Sequence, residues 1–427
     1  MTNSANELLN FISASPSCFH VIDNLKAFLA LEGYTELFEK DKWKLTRGGK
    51  YFISRNDSSL IAFELPVCTP RGFMIAAAHS DSPTFKIKET AESVSAHTVR
   101  LSTEKYGGML MSTWFDRPLS VAGRVIVETD NGVASRLVNI DRDLLIIPSV
   151  AIHMNRSANE NAKFAANVDT LPLYAGEDAK DSFDALIASA AGVDEENVLG
   201  KDLYLYLREN GTVFGANNEF LGSPKLDDLE CVYSITSGFV DSTGSDAIKV
   251  MCVFDNEEVG SETKQGGGST LLRDTLRRVV YKLYGDEDDY LRLLANSFMV
   301  SADNAHATHP NHPEYADAAN SPKMNGGIVI KYNANQRYAT DGISAAIFKK
   351  ICESAAVPYQ VYANRSDLAG GSTLGSISNT LLPVRTVDIG LAQLAMHSAY
   401  ETAGKYDLDH LVNAMTAFYS SNIIEVE

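Results

Sequence analysis

Between residues 226 and 427 the chain alternates short apolar runs with helix-length amphipathic windows, and no other feature constrains its fold as tightly. IKVMCVF (248–254) reads as a strand and GSTLLRDTLRRVVYKLYG (268–285) as a helix. SFMVSADNAHATHP (297–310) and GGIVIKYNANQRYAT (326–340) each open as strands, and GISAAIFKKICESAAV (342–357) is helical. YQVYANR (359–365) and PVRTVDIGLAQLAMHS (383–398) add two strands before a closing helix at HLVNAMTAFYSS (410–421). Such repetition predicts an α/β fold, a mostly parallel mixed sheet flanked by helices. Upstream, residues 7–33 read as two helices broken at Ser15-Pro16, and GFMIAAAHSDSP (72–83) as a buried strand running into His79 and Asp81.

From about residue 89 the texture changes. SVSAHTVRL (93–101), SVAGRVIVET (120–129), SRLVNI (135–140) and DLLIIPSVAIHM (143–154) are short alternating runs of the kind antiparallel sheets use. Gly222-Ser223-Pro224 closes this region. A chain of 427 residues exceeds one ordinary core. The expected organisation is a catalytic domain in two parts, 1–87 and 226–427, with a mainly β domain inserted at 88–225.

The chemistry gathers at strand ends. Strand 248–254 runs into Asp255, Glu257 and Glu258 within four residues, followed by Val259 and Gly260. An isolated acidic pair is ordinarily a solvated turn. Just past the carboxyl end of a core strand, where α/β folds place ligands, the same pair suits metal chemistry. One glutamate can bind a cation while its neighbour handles a proton. His79, Asp227, Glu258, Asp303 and His397 each fall beside a strand end or in the loop that follows. Two imidazoles and three carboxylates suit a pair of borderline-hard divalent ions such as zinc. Two ions roughly 3.5–4 Å apart need a bridging carboxylate. Asp227, at the entry to a helix in SPKLDDLE (223–230), is placed for that. Glu257 is placed to move a proton.

Other classes are disfavoured. Lys plus Arg number 37 against 55 for Asp plus Glu, a net charge of −18 that repels phosphate backbones and anionic membranes. No nucleic-acid or membrane partner is expected. Five scattered cysteines fit free thiols in a reducing cytosol, and no secretory leader is apparent, so the expected location is cytoplasmic. Gly266-Gly267-Gly268 lacks the following Gly-Lys-Ser/Thr of a phosphate loop.

Taken together and in order, these residues resemble the aspartyl aminopeptidases. The resemblance spans nearly the whole chain. It is carried by HSDSP (79–83), YGG (106–108), WFDRPLS (114–120), IPSVAIHMNR (147–156), LDDL (226–229) and DNEEVGS (255–261). SADNAHATHPN (301–311), IKYNANQRYAT (330–340), GGSTLG (370–375) and VDIGLAQLAMHS (387–398) complete it. The family's more common wording around the bridging aspartate is LDN, and here Asp228 adds a further carboxylate. The resemblance implies a cytosolic metallo-aminopeptidase with two zinc ions per subunit, releasing N-terminal Asp or Glu from peptides. His79 and Asp303 would hold one zinc, Glu258 and His397 the other, with Asp227 bridging and Glu257 as general base. Asp81 would orient His79. His306, Lys331 and Tyr338 would contact substrate, and His153 would reach from the inserted dimerisation domain into a neighbouring subunit of a tetrahedral homododecamer. Two rivals are a two-zinc peptidase or deacylase of other specificity, and a shell-forming binding protein with structural metals.

Overall fold

The strands Phe73–His79 and Ile248–Phe254 run in parallel along their whole length, Ile248 opposite Phe73 and Phe254 opposite His79. The structure, a computed structural model, describes residues 4–160 and 162–423. Among these residues the two strands sit at the centre of a nine-stranded sheet. Its order is Thr35–Leu37, Lys50–Arg55, Ser59–Glu64, Ile248–Phe254, Phe73–His79, Phe298–Ala302, Arg385–Gly390, Ile328–Tyr332 and Tyr359–Ala363. Five of its eight neighbouring pairs are parallel, which makes it the mostly parallel mixed sheet the alternation predicts.

The central strands are apolar without interruption because both faces are covered. Met74, Ala76 and Ala78 pack on one side with Val232, Ile235, Phe239, Leu411 and Phe418 from the helices Leu226–Asp241 and Lys405–Ser420. Phe73, Ile75 and Ala77 face the other way, against Leu276, Val279 and Val280 of the helix Leu271–Leu283. Each fully buried side chain of this size stabilises by about 1.5–3 kcal/mol relative to exposure. A one-residue slip would exchange the two faces, so the register is strongly set.

A separate six-stranded antiparallel sheet, from Thr84–Ser95 through Val198–Leu207, packs its own core of Phe85, Leu101, Val121, Val125 and Leu203 beneath the helix Phe183–Ala191. Thr212–Phe214 and Phe220–Ser223 join Glu401–Gly404, Ala392–Leu394 and Ala305–His306 in a five-stranded sheet. Their short alternating pattern satisfies any half-buried sheet, so the sequence carries no sign of which partner they take. Among the described residues no helix is long and apolar enough to cross a membrane.

Candidate metal centre

Three of the donor-bearing segments leave the carboxyl ends of neighbouring parallel strands in the nine-stranded sheet, while Asp227 and His397 follow strands of the five-stranded sheet. His79 ends one strand, Asp255 follows the next, and Asp303 follows Ala302 on the third. Asn256 takes a left-handed backbone (φ 61°) and opens a tight turn at Glu257–Val259, which Gly260 closes at φ 101°. Asn256 is fixed there by its side chain, which donates to the Tyr106 hydroxyl (2.8 Å) and accepts from Thr263 (2.8 Å) and Gln265 (2.7 Å).

Asp81 organises this turn. Its Oδ1 accepts the Glu257 N–H at 3.1 Å, and its Oδ2 accepts the Glu258 N–H at 3.2 Å and the Tyr106 hydroxyl at 2.7 Å. The same residue orients His79, whose Nδ1 lies 3.0 Å from the Asp81 carbonyl and 3.3 Å from its carboxylate. A carbonyl only accepts, so Nδ1 carries the proton and Nε2 presents its lone pair to the cluster.

His79 Nε2 lies 3.6 Å from Asp227 Oδ1. On the other side, His397 Nε2 lies 3.4 Å from Asp227 Oδ2 and 3.4 Å from Glu258 Oε2, while its Nδ1 donates to the Gly108 carbonyl. Among the described residues two donor groups result, His79, Asp227, Asp228 and Asp303 in one, Asp227, Glu258 and His397 in the other. Asp227 belongs to both through its two oxygens, whereas Asp228 belongs to the first alone and accepts the His79 N–H at 3.1 Å. The peptide bond between the two aspartates is cis.

The donor set fits divalent cations. Asp227 Oδ1, Asp228 Oδ1 and Glu258 Oε1 are buried without a hydrogen-bond partner, a costly condition for carboxylate oxygens unless a cation meets them. Burial, then the neighbouring Asp227, pushes the Glu258 carboxyl well above the usual range, and burial pushes Glu257 up to about 8. Nitrogen and oxygen donors without sulfur match zinc.

The remaining expected residues divide. Lys331 is only 2% exposed, donates to the Asp303 and Asn304 carbonyls at 2.7 and 3.2 Å, and lies 3.6 Å from Asp303 Oδ1. Its ammonium also stands 5.2 Å from the Tyr338 ring. His306 is exposed, with its ring 6.1 Å from Tyr362, which in turn neighbours Tyr338 at 6.4 Å. His153 sits exposed in an irregular stretch and is in neither donor group. Sequence reasoning missed Glu401, a buried carboxylate accepting the N–H groups of both Asp227 (3.0 Å) and His397 (2.7 Å). Its only signal was an acid four residues beyond a candidate ligand.

The family model described as Aminopeptidase I zinc metalloprotease (M18) matches residues 11–419. The chain is 46% identical over 427 aligned residues to a Probable M18 family aminopeptidase 2 of Clostridium acetobutylicum, covering 97% of this chain and 98% of the relative. A protein of the same description from Pseudomonas savastanoi pv. phaseolicola is 39% identical, with 98% of each chain covered. Among solved structures, a chain of the Ape4 and Nbr1 complex superposes with a TM-score of 0.94 at 35% identity, covering 98% of this chain and 85% of that one. The mApe1 dodecamer of S. cerevisiae superposes with a TM-score of 0.86 at 26% identity, covering 98% and 96%.

Proposed function

This chain belongs to the M18 family of zinc metallo-aminopeptidases, and from that premise we propose that it releases Asp or Glu from peptide N-termini with two zinc ions per subunit. The observation that carries the two-ion reading is Asp227, whose two oxygens face His79 on one side and His397 on the other. His79 and Asp303 would hold one ion, Glu258 and His397 the other, with Asp227 between them. When bound, zinc supplies Lewis acidity that polarises the scissile carbonyl and acidifies water.

The chain's own residues do the rest. Glu257 lies in the same turn as Glu258 but belongs to neither donor group, so its carboxylate is free to take the proton from water and return it to the leaving amine. Asp81 holds the backbone of both glutamates through its two oxygens. The acidic preference rests on the motif resemblance, with Lys331, Tyr338 and His306 forming a cationic and aromatic wall beside Asp303.

A second reading has its own observation. The Lys331 ammonium already has three oxygen partners, as a lysine serving Asp303 would, and this favours a two-zinc aminopeptidase of other specificity. Assaying Asp-, Glu-, Leu- and N-acyl-substrates side by side separates the two. Preference for Asp and Glu supports the first; a Leu-substrate turned over faster rejects it. A protein that retains zinc and hydrolyses none of them is a shell with structural metals.

The oligomer is part of the same proposal. Residues 88–225 would serve as a dimerisation domain, with His153 completing a neighbouring subunit's site in a tetrahedral dodecamer, and the protein would work in the cytoplasm. The exposed Val150, Ile152 and Met154 flanking His153 support a contact there.

A further inference from the structure

One buried side chain grips the main chain at two donors that lie far apart in the sequence. Glu401 opens the strand Glu401–Gly404 and is 1% exposed. That strand pairs with Phe220–Ser223, setting Ser223 opposite Glu401 and bringing the carboxylate to the segment that leads into Asp227. Oε2 accepts the Asp227 N–H at 3.0 Å, and Oε1 accepts the His397 N–H at 2.7 Å.

We propose that Glu401 is a positioning residue for the cation site formed by Asp227, Glu258 and His397, fixing the backbone of two of its three donors. The inference rests on the two-zinc reading above. His397 has a left-handed backbone (φ 66°), a conformation that a non-glycine residue keeps only when its surroundings hold it. Glu401 supplies that hold, and hydrogen bonds to a carboxylate are the stronger kind. The other donor group shares only Asp227 with the clamp, so its dependence on Glu401 is weaker.

Glu401→Gln tests this. The amide keeps one acceptor oxygen and turns an NH2 toward the other N–H, so one of the two bonds is lost. Zinc is titrated away from parent and variant with a chromophoric chelator, with no activity measured. The parent is expected to release two ions per chain. In the variant one of the two should bind about 10–100-fold more weakly, the usual cost of losing a group that orients a ligand, while the other changes less. A purely structural role would lower thermal stability and leave both affinities at parent values, and that result overturns the inference. A parent that holds a single ion overturns the two-zinc reading and the inference with it. Should Glu401→Gln not fold, Glu401→Asp, one methylene shorter, is read by the same criteria.

Discussion

The Lys331 ammonium lies 3.6 Å from the Asp303 carboxylate and donates to that residue's own carbonyl at 2.7 Å. Both side chains are buried, so each is the other's principal compensation for leaving water. Removing the cation strands the acid. In metal-free protein Lys331→Met should therefore cost about 3–5 kcal/mol of stability. Zinc should restore most of it, because a divalent ion at Asp303 replaces the missing charge. Denaturant midpoints with and without zinc check this. Unchanged midpoints would show that the pair carries no such load, and a raised KM confined to Asp- and Glu-substrates would show that Lys331 also serves substrate.

Glu257→Gln should bind zinc like the parent and lower kcat by about 10²–10⁴-fold, the usual contribution of a placed general base. The amide preserves shape and removes only the capacity to take a proton. Zinc content by elemental analysis and kcat on an Asp-substrate are the paired readouts. Parent-like turnover in a zinc-loaded variant would remove Glu257 from the mechanism.

Chelation should lower the melting temperature as well as abolish activity. Asp227, Asp228 and Glu258 each keep a buried oxygen without a hydrogen-bond partner, and a cation that binds only the folded state stabilises it by about 2.7 kcal/mol at a hundredfold excess over Kd. Re-addition of zinc should restore both properties together. A melting temperature indifferent to chelator would argue against ions at this cluster.

His20, whose Nδ1 lies 2.8 Å from the Ser17 hydroxyl, gives a test away from the centre. Burial, then Lys225, pushes its imidazole down from 6.5 to about 4. Between those values the unfolded chain takes up a proton that the folded chain refuses. The stability contributed by the neutral ring is thus present above pH 6.5 and lost as pH falls toward 4. His20→Gln should flatten the loss of stability across this window. Parallel stability curves for parent and variant would show that the ring does not titrate as described.

The strand–helix alternation and the ligand-bearing strand ends were legible because both depend on local pattern. A fully buried strand is apolar throughout, and a loop at its carboxyl end lies where ligands bind, as with Phe73–His79 and Ile248–Phe254. The hydrogen bonds of Glu401 and the burial of Lys331 were not legible. Glu401 acts on main-chain N–H groups, which leave no trace in residue types, and its approach to Asp227 depends on strands of three or four residues pairing across the chain. Lys331 looks like any strand-end lysine until the fold closes over it. The five-stranded sheet stayed hidden for a similar reason, since Ala305–His306 and Ala392–Leu394 are too short to show a period.

The strand that delivers His79 is fifth of nine and has a parallel neighbour on either side. Its amides are locked in ladders beneath two helical layers, so deuterium reaches them only when the whole domain opens. The peptides around residues 73–79 should hold their protons for as long as any in the chain. The platform for catalysis is thereby as rigid as the fold itself, and any give needed to admit a peptide has to come from the loops beyond it.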